Sequence, residues 1–129
     1  MDVPRALAAG LALNRAAFGL NYLLRPGQAR TSWIGRAARK PGAQVMIRSQ
    51  GVRDVALGAG ALRALARGDA RELRAWVASH AVCDLADLMA TWTARDDLPE
   101  RRARMAMAIA ATSTLVGGVA AAGLRPEAG

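Results

Sequence analysis

The sequence predicts an all-α fold: a bundle of four transmembrane helices with a short interfacial helix between the first and second. Three observations carry this expectation. Hydrophobic residues make up 53% of the chain and aromatic residues only 4%, with 13 Gly, so the apolar content is mainly Ala, Leu and Val. That is the palette of closely packed helices, whereas a β-sandwich draws on alternating Thr, Tyr, Ile and Phe. Four stretches also reach about the 20 residues that a spanning helix needs, and charged or Pro/Gly-containing breaks separate them. The chain of 129 residues forms one domain, because a single bundle absorbs this length.

The first segment covers residues 4–24 and is closed by Arg25-Pro26-Gly27, a stop with proline just past the helix end. Met1 to Arg5 lacks a basic leader region and a small-residue cleavage site, so Leu7 onward reads as mature helix rather than a cleaved signal. Residues 28–40 carry Arg30, Arg36, Arg39 and Lys40 around Trp33 and Ile34, a composition suited to a short helix in the headgroup layer. The second segment, residues 43–66, follows Lys40-Pro41-Gly42 and ends at Arg67-Gly68-Asp69. The third, residues 72–93, ends before Arg95-Asp96-Asp97. The fourth, residues 105–124, holds no charge and shows only Thr112, Ser113 and Thr114 as polar side chains besides backbone.

The formal charge is +8, from 18 basic and 10 acidic residues, and Lys40 is the only lysine. Most of the arginines lie in the loops. Those after segments one and three hold Arg25, Arg30, Arg36, Arg39, Lys40, Arg95, Arg101, Arg102 and Arg104; the opposite side holds Arg5, Arg67, Arg71, Arg74 and Arg125. The positive-inside rule places the richer set in the cytoplasm and the protein in the cell membrane as a multi-pass chain. Nucleic acid is not an expected partner, since no basic run interleaves with aromatics and no Cys/His zinc pattern exists. Cys83 stands alone, which leaves no disulfide framework. A soluble helical bundle is the competing reading, supported by a mean hydropathy of only +0.11 and by Arg48, Gln50, Arg53 and Asp54 within segment two.

Helical geometry decides whether the polar residues converge. His80, Asp84 and Asp87 follow i, i+4, i+7 spacing on segment three, with Trp76 on the same stripe. Gln50, Arg53, Asp54 and Leu57 share a stripe on segment two, from which Arg48 points away. Leu11, Asn14, Arg15, Phe18, Asn21 and Tyr22 form the third stripe, on segment one. Arg15 and Arg53 supply two permanent positive charges against the three carboxylates of Asp54, Asp84 and Asp87, so one proton on His80 or an Asp brings the cluster to neutrality. Such a cluster suits an acid and a base side by side, and equally a buried network that fixes helix register. No metal is expected: Asp84 and Asp87 with His80 lack a Glu-x-x-His partner on another helix. Gly58, Gly60, Gly117 and Gly118 read as packing faces, those of the fourth helix also as a face on which copies of the chain can associate. Trp76 and Trp92 read as interface anchors.

The Asn14-Arg15 pair, the run from Gln50 through Arg53-Asp54 to Gly58, and the His80/Asp84/Asp87 stripe resemble an uncharacterised family of small four-helix integral membrane proteins. That family, a domain of unknown function and distantly DoxX-like, occurs in actinobacteria and in fungal secondary-metabolite clusters. The resemblance spans about residues 5–123. It implies that Arg53-Asp54 and the two Asp residues of the third helix belong to the defining pattern. It brings no established activity with it, and its biosynthetic setting is compatible with an enzyme.

The function expected on these grounds is a membrane-embedded, cofactor-independent acid/base enzyme, a cyclase or isomerase acting on a lipophilic metabolite such as a polyketide or isoprenoid. Asp84 or Asp87 is its acid or base, His80 the proton partner, and Arg53 and Arg15 hold a developing anion. Asp54 orients Arg53, and Asn14, Asn21 and Gln50 supply neutral contacts to substrate. A transport or proton-relay protein, or a structural membrane subunit, are the alternatives. The expected partners are the lipophilic substrate and membrane lipid.

Overall fold

Asp2 opens the first helix, its carboxylate accepting the Arg5 amide at 3.0 Å, and Pro4 fits the first turn where no amide is needed. In the computed structural model, which describes residues 1–29 and 31–124, this helix, α1, runs Val3–Leu24. Three more long helices follow: α2 (Pro41–Arg67), α3 (Ala70–Thr93) and α4 (Glu100–Gly123). Arg30 and Arg125, counted above among the loop charges, lie outside the described residues. The described residues are otherwise almost wholly helical and include no strand.

The stops and starts are local chemistry. Gly68 ends α2 in the left-handed region at φ 70°, and its amide returns to the carbonyls of Ala64 and Leu65. Asp69 then caps α3 by accepting the Glu72 amide at 2.8 Å. α4 begins at Glu100, five residues before the uncharged stretch, because Arg101, Arg102 and Arg104 are good helix formers although they are poor membrane residues. The α1–α2 crossover is not one interfacial helix. It comprises two short turns, Pro26–Ala29 and Thr31–Ile34, and a 3₁₀ stretch, Gly35–Arg39. The chain bends there because Gly35 takes a positive φ of 67°.

The helices run up, down, up, down, with α1 packed most extensively on α2 and α3 on α4. Small residues set the first of these contacts. A Cβ on Gly58 would stand 2.7 Å from the Ala12 carbonyl oxygen, and one on Gly51 would stand 2.8 Å from that of Gly19. The α2–α3 contact is looser. Gly60 there receives the face of the Trp76 ring, so Trp76 is a packing residue half-buried in the bundle rather than an interface anchor; Trp92 is exposed. Gly117 packs on Ala81 of α3, whereas Gly118 meets nothing.

The half of the bundle near the termini and the α2–α3 turn is a dry core of small side chains, among them Ala8, Ala12, Ala61 and Ala64, wedged by Leu73 and Val77. The half near the crossover is different: its buried residues include Asp54, His80, Asp84 and Thr91. Large apolar side chains meanwhile point outward on every long helix, such as Leu20, Val52, Leu85 and Leu115. One helix among the described residues, α4, is long and apolar enough to cross a membrane, with a mean hydropathy of 1.7 over its best window. Only 28% of that window is buried, which is not the profile of a sequestered core helix.

Because the α1–α2 contact leaves no room at Gly58, Gly58→Leu is expected to lower stability by about 1–3 kcal/mol or to splay the helices. Gly118→Leu should be nearly neutral. Denaturation of the purified protein by increasing sodium dodecyl sulfate, followed by circular dichroism, compares the two; equal midpoints would contradict the packing described.

A roofed polar chamber as the candidate functional site

The charged residues of α1, α2 and α3 meet in one continuous chain of ion pairs. The Arg15 guanidinium donates to Asp54 Oδ1 at 3.0 Å and, through its other terminal nitrogen, to Asp84 Oδ1. Arg53 reaches the same Asp54 oxygen at 3.2 Å and grips Asp87 with both terminal nitrogens, at 3.3 and 2.9 Å. Gln50 adds a bond from Nε2 to Asp87 Oδ2 at 3.1 Å. Asp84, Arg15, Asp54, Arg53 and Asp87 therefore alternate in sign. The Arg15, Asp54 and Asp84 side chains are 11%, 7% and 11% exposed, while Arg53 at 32% reaches toward the surface.

Local sequence explains the convergence. Arg53 and Asp54 are adjacent, so their side chains diverge by about 100° around α2, which sends Asp54 inward and leaves Arg53 at the α2–α3 seam. Asp84 and Asp87 are three residues apart and share a face of α3. The small residues between α1 and α2 bring Arg15 across the gap. Alternation also separates the carboxylates by guanidinium groups. No group of three or more His, Cys, Asp or Glu suited to a metal occurs among the described residues.

Every carboxylate is paired, but they are not equally committed. Both Asp87 oxygens are occupied by Arg53 and Gln50. Asp84 and Asp54 each use Oδ1, and their Oδ2 atoms take no hydrogen bond among the described residues. Both side chains line a partly open cavity of about 190 Å³ bordered by all four long helices and the crossover. Its walls combine Arg15, Asn14, Gln50 and Ser113 with Leu11, Phe18, Met105 and Ile109. A second space, a groove of about 580 Å³, opens between α2 and α3 against Ile34, Ala43, Met46, Ala90 and Leu98, with Arg53 at its edge.

Of the residues singled out from the sequence, Arg15, Asn14, Gln50, Asp54, Asp84 and Asp87 line the inner chamber, and Arg53 lines the groove. Asn21 does not line either space and is exposed, since six residues of α1 carry it about 120° around the helix from Arg15. Arg48 is exposed as expected. His80 is 1% exposed, one turn from Asp84, and among the described residues neither ring nitrogen has a hydrogen-bond partner within normal geometry. The Leu57 carbonyl of α2 is close enough to act on the ring electrostatically.

Trp33 and Thr91 are site residues that sequence reasoning missed. The Trp33 indole N–H donates to Thr91 Oγ1 at 3.0 Å, and the Thr91 hydroxyl donates to the Asp87 carbonyl at 2.7 Å. Together they pin the crossover over the chamber. Arg102 of α4 donates to the Thr31 carbonyl and fastens the crossover from the other side. Thr91 was available as the next member of the 80/84/87 stripe; Trp33 was read as a headgroup residue, and nothing in its spacing indicated the inward turn.

A family model described as a domain of unknown function, DUF4267, matches residues 12–124. No curated protein and no solved structure matches the chain.

Removing Arg15 leaves buried Asp84 without a cation and Asp54 with Arg53 alone. Arg15→Met is therefore expected to cost about 3–5 kcal/mol, and adding Asp54→Asn and Asp84→Asn to the same chain should recover much of it. Detergent unfolding midpoints measure both; a single variant as stable as the parent would show that the pairs do not hold the bundle.

Proposed function

This chain belongs to the DUF4267 family, and we propose that it is a four-span protein of the cell membrane that works as a cofactor-independent acid/base enzyme, of the cyclase or isomerase type, on a lipophilic metabolite. The membrane part of the reading is supported by the inverted distribution of side chains. Apolar residues such as Leu85, Ile109 and Val119 face outward while Asp54, His80 and Asp84 are buried. Lipid accepts the first set and penalises exposure of the second. The crossover, the α3–α4 turn and the first turn of α4 carry eight arginines and Lys40 against five arginines at the other end, so the first end lies in the cytoplasm under the positive-inside rule.

The chamber carries the enzymatic part. It places carboxylates with uncommitted oxygens against apolar walls, in a space bordered by Trp33 of the crossover, which is held to α3 by its bond to Thr91. Asp84 is the acid and base: Arg15 holds Oδ1, which leaves Oδ2 to give a proton to one substrate carbon and recover one from its neighbour. The net proton count is unchanged in such an isomerisation or cyclisation, so no redox partner is called for. His80 is the proton partner one turn away. Arg15 and Arg53, already engaged with carboxylates, act as positioning residues rather than as holders of a substrate anion. A polyketide or isoprenoid suits the apolar walls. A proton path across the bilayer is less well supported, because the other half of the bundle is closed by Leu73, Val77 and small apolar residues.

Acid/base catalysis contributes about 10²–10⁴-fold. Asp84→Asn is accordingly expected to lower conversion of the pathway precursor about 100-fold or more in membranes containing the protein, with unchanged expression and elution volume. Full activity in the Asp84→Asn, Asp87→Asn double variant would sink the enzyme reading. Topology has its own check. In a Cys83→Ser background, a single cysteine in place of Arg36 or Arg101 should react with an impermeant maleimide from the cytoplasmic side only. One in place of Gly68 should react from the opposite side only, and labelling of both from one side would exclude four spans.

A further inference from the structure

Arg104 is the last charge of α4, and beyond it Met105, Ile109, Leu115 and Val119 are exposed along the helix. Two of these, Met105 and Ile109, also belong to the wall of the inner chamber, and so do the exposed Asn14 and Phe18 of α1. The residues that α2 and α3 contribute to the same wall are buried or half-buried. Apart from Ser32 of the crossover, every exposed residue of the wall lies on α1 or α4, so the open side of the chamber is between these two helices. Their contact is tight only near the termini. There a Cβ on Gly123 would stand 2.8 Å from the Pro4 ring, and Ala8 and Ala12 share a core with Ala120 and Ala121. Toward the crossover the chamber lies between them, and Arg15 carries the ion pairs of α1 away to α2 and α3. The crossover forms the upper edge of the opening, fastened where Arg102 donates to the Thr31 carbonyl. The groove on the α2–α3 seam is a poorer route inward, because Asp87, held by Arg53 at 2.9 Å and by Gln50 at 3.1 Å, stands in the wall that the two spaces share.

We propose that the space between α1 and α4 is a window through which the chamber takes a neutral alcohol directly from the bilayer, the hydroxyl entering the chamber and the hydrocarbon part lying in the window. This deepens the proposed function, on whose membrane reading and chamber it rests, by naming the route and the class of its substrate. The route is lateral because Phe18, Met105 and Ile109 put apolar side chains at the rim, a surface that hydrocarbon wets and water does not. The ligand is neutral because a charged group is costly in the lipid from which it arrives. Its polar group is a hydroxyl because the chamber offers hydrogen bonds of both senses. The Asn14 amide and the Ser113 hydroxyl lie in the wall, and neither takes a hydrogen bond among the described residues. Asp54, which receives both arginines through Oδ1, leaves Oδ2 as an acceptor. A hydroxyl gives one hydrogen bond and accepts others, so it is accommodated whether Asp84 holds its proton or has just given it up.

The test uses the full chain in phosphatidylcholine nanodiscs and octan-1-ol carrying a photoreactive diazirine on its chain, with adducts located by peptide mass spectrometry. Unlabelled octan-1-ol, octane, octanoate and octylamine are the competitors at pH 7. The expected result is saturable labelling confined to the window and chamber residues of α1 and α4 and to Asp84. Octanol should suppress it at concentrations at least tenfold below those needed of the other three. Met105→Trp and Ile109→Trp, which fill the window, should each lower the labelling at least fivefold, whereas Leu115→Trp, outward on the same helix but away from the window, should leave it unchanged. Asn14→Leu, which removes a hydroxyl partner without filling the window, should narrow the gap between octanol and octane at least threefold. Labelling that persists in both tryptophan variants, or that falls instead on Met46 and Ala90 at the α2–α3 seam, would overturn the window. Labelling spread along the outward faces without saturation would overturn the site. Competition by octane equal to that by octanol would overturn the hydroxyl, and stronger competition by octanoate or octylamine would overturn the neutral head. Labelling needs no turnover, so a saturable site in a protein whose Asp84→Asn, Asp87→Asn variant keeps full activity would sink only the enzyme reading. Turnover indifferent to both tryptophan substitutions would sink only the window.

Discussion

A single carboxylate oxygen, Asp54 Oδ1, receives both Arg15 from α1 and Arg53 from its own helix, and each arginine continues to a different Asp of α3. Three helices are thereby joined through one atom. The arrangement works because charge alternates along it: each guanidinium sits between two carboxylates, and only Asp54 sits between two guanidinium groups. A buried ion pair seldom adds much net stability against an apolar replacement of the same shape. Its effect here is directional. With all partners needed at once, α1, α2 and α3 have few alternative registers, and the bundle is specified where its small, smooth alanine surfaces could otherwise slide.

The division of the bundle into two halves follows from that chain. Near the termini and the α2–α3 turn, alanine, glycine and a few branched residues pack closely. Toward the crossover, α1 and α2 still touch at Gly19 and Gly51, but bulky arginine and aspartate side chains stand between this pair and α3, which cannot close on it as alanine faces do. Space remains between them, and the crossover covers it. The chamber is thus a consequence of polar residues too large for the gap they bridge, together with a crossover that folds inward instead of lying flat.

Much of this was legible in the sequence, and the reasons are particular. The four long helices were found because length and charge breaks are one-dimensional signals. The convergence of Arg15, Arg53, Asp54, Asp84 and Asp87 was found because the 3.6-residue period is reliable over two or three turns. Asn21 was taken into its stripe through Phe18, three residues away, although the same period sets it about 120° from Arg15, and it faces outward. The partner of each charge was not legible: adjacency puts Arg53 beside Asp54, but only packing shows that Arg53 grips Asp87 while Arg15 takes Asp84. Trp33 was misplaced for a similar reason. Its arginine-rich neighbours suggest an interface, whereas its indole N–H finds Thr91, 58 residues further along the chain. The start of α4 was placed late because hydropathy marks where charge ends and not where a helix begins.

The two fastenings of the crossover give it a mechanical character. Trp33 holds it to α3 and Arg102 holds it to α4, and these are the two helices joined by the short turn at residues 95–97. The cover is thus anchored on one hairpin while its ends are continuous with the other, α1 and α2. Any tilt of one hairpin against the other must stretch or relax the crossover like a strap across a hinge. How open the chamber is and how the two hairpins lean become a single coordinate, so anything that biases the tilt of one hairpin acts on the chamber without touching any residue in it.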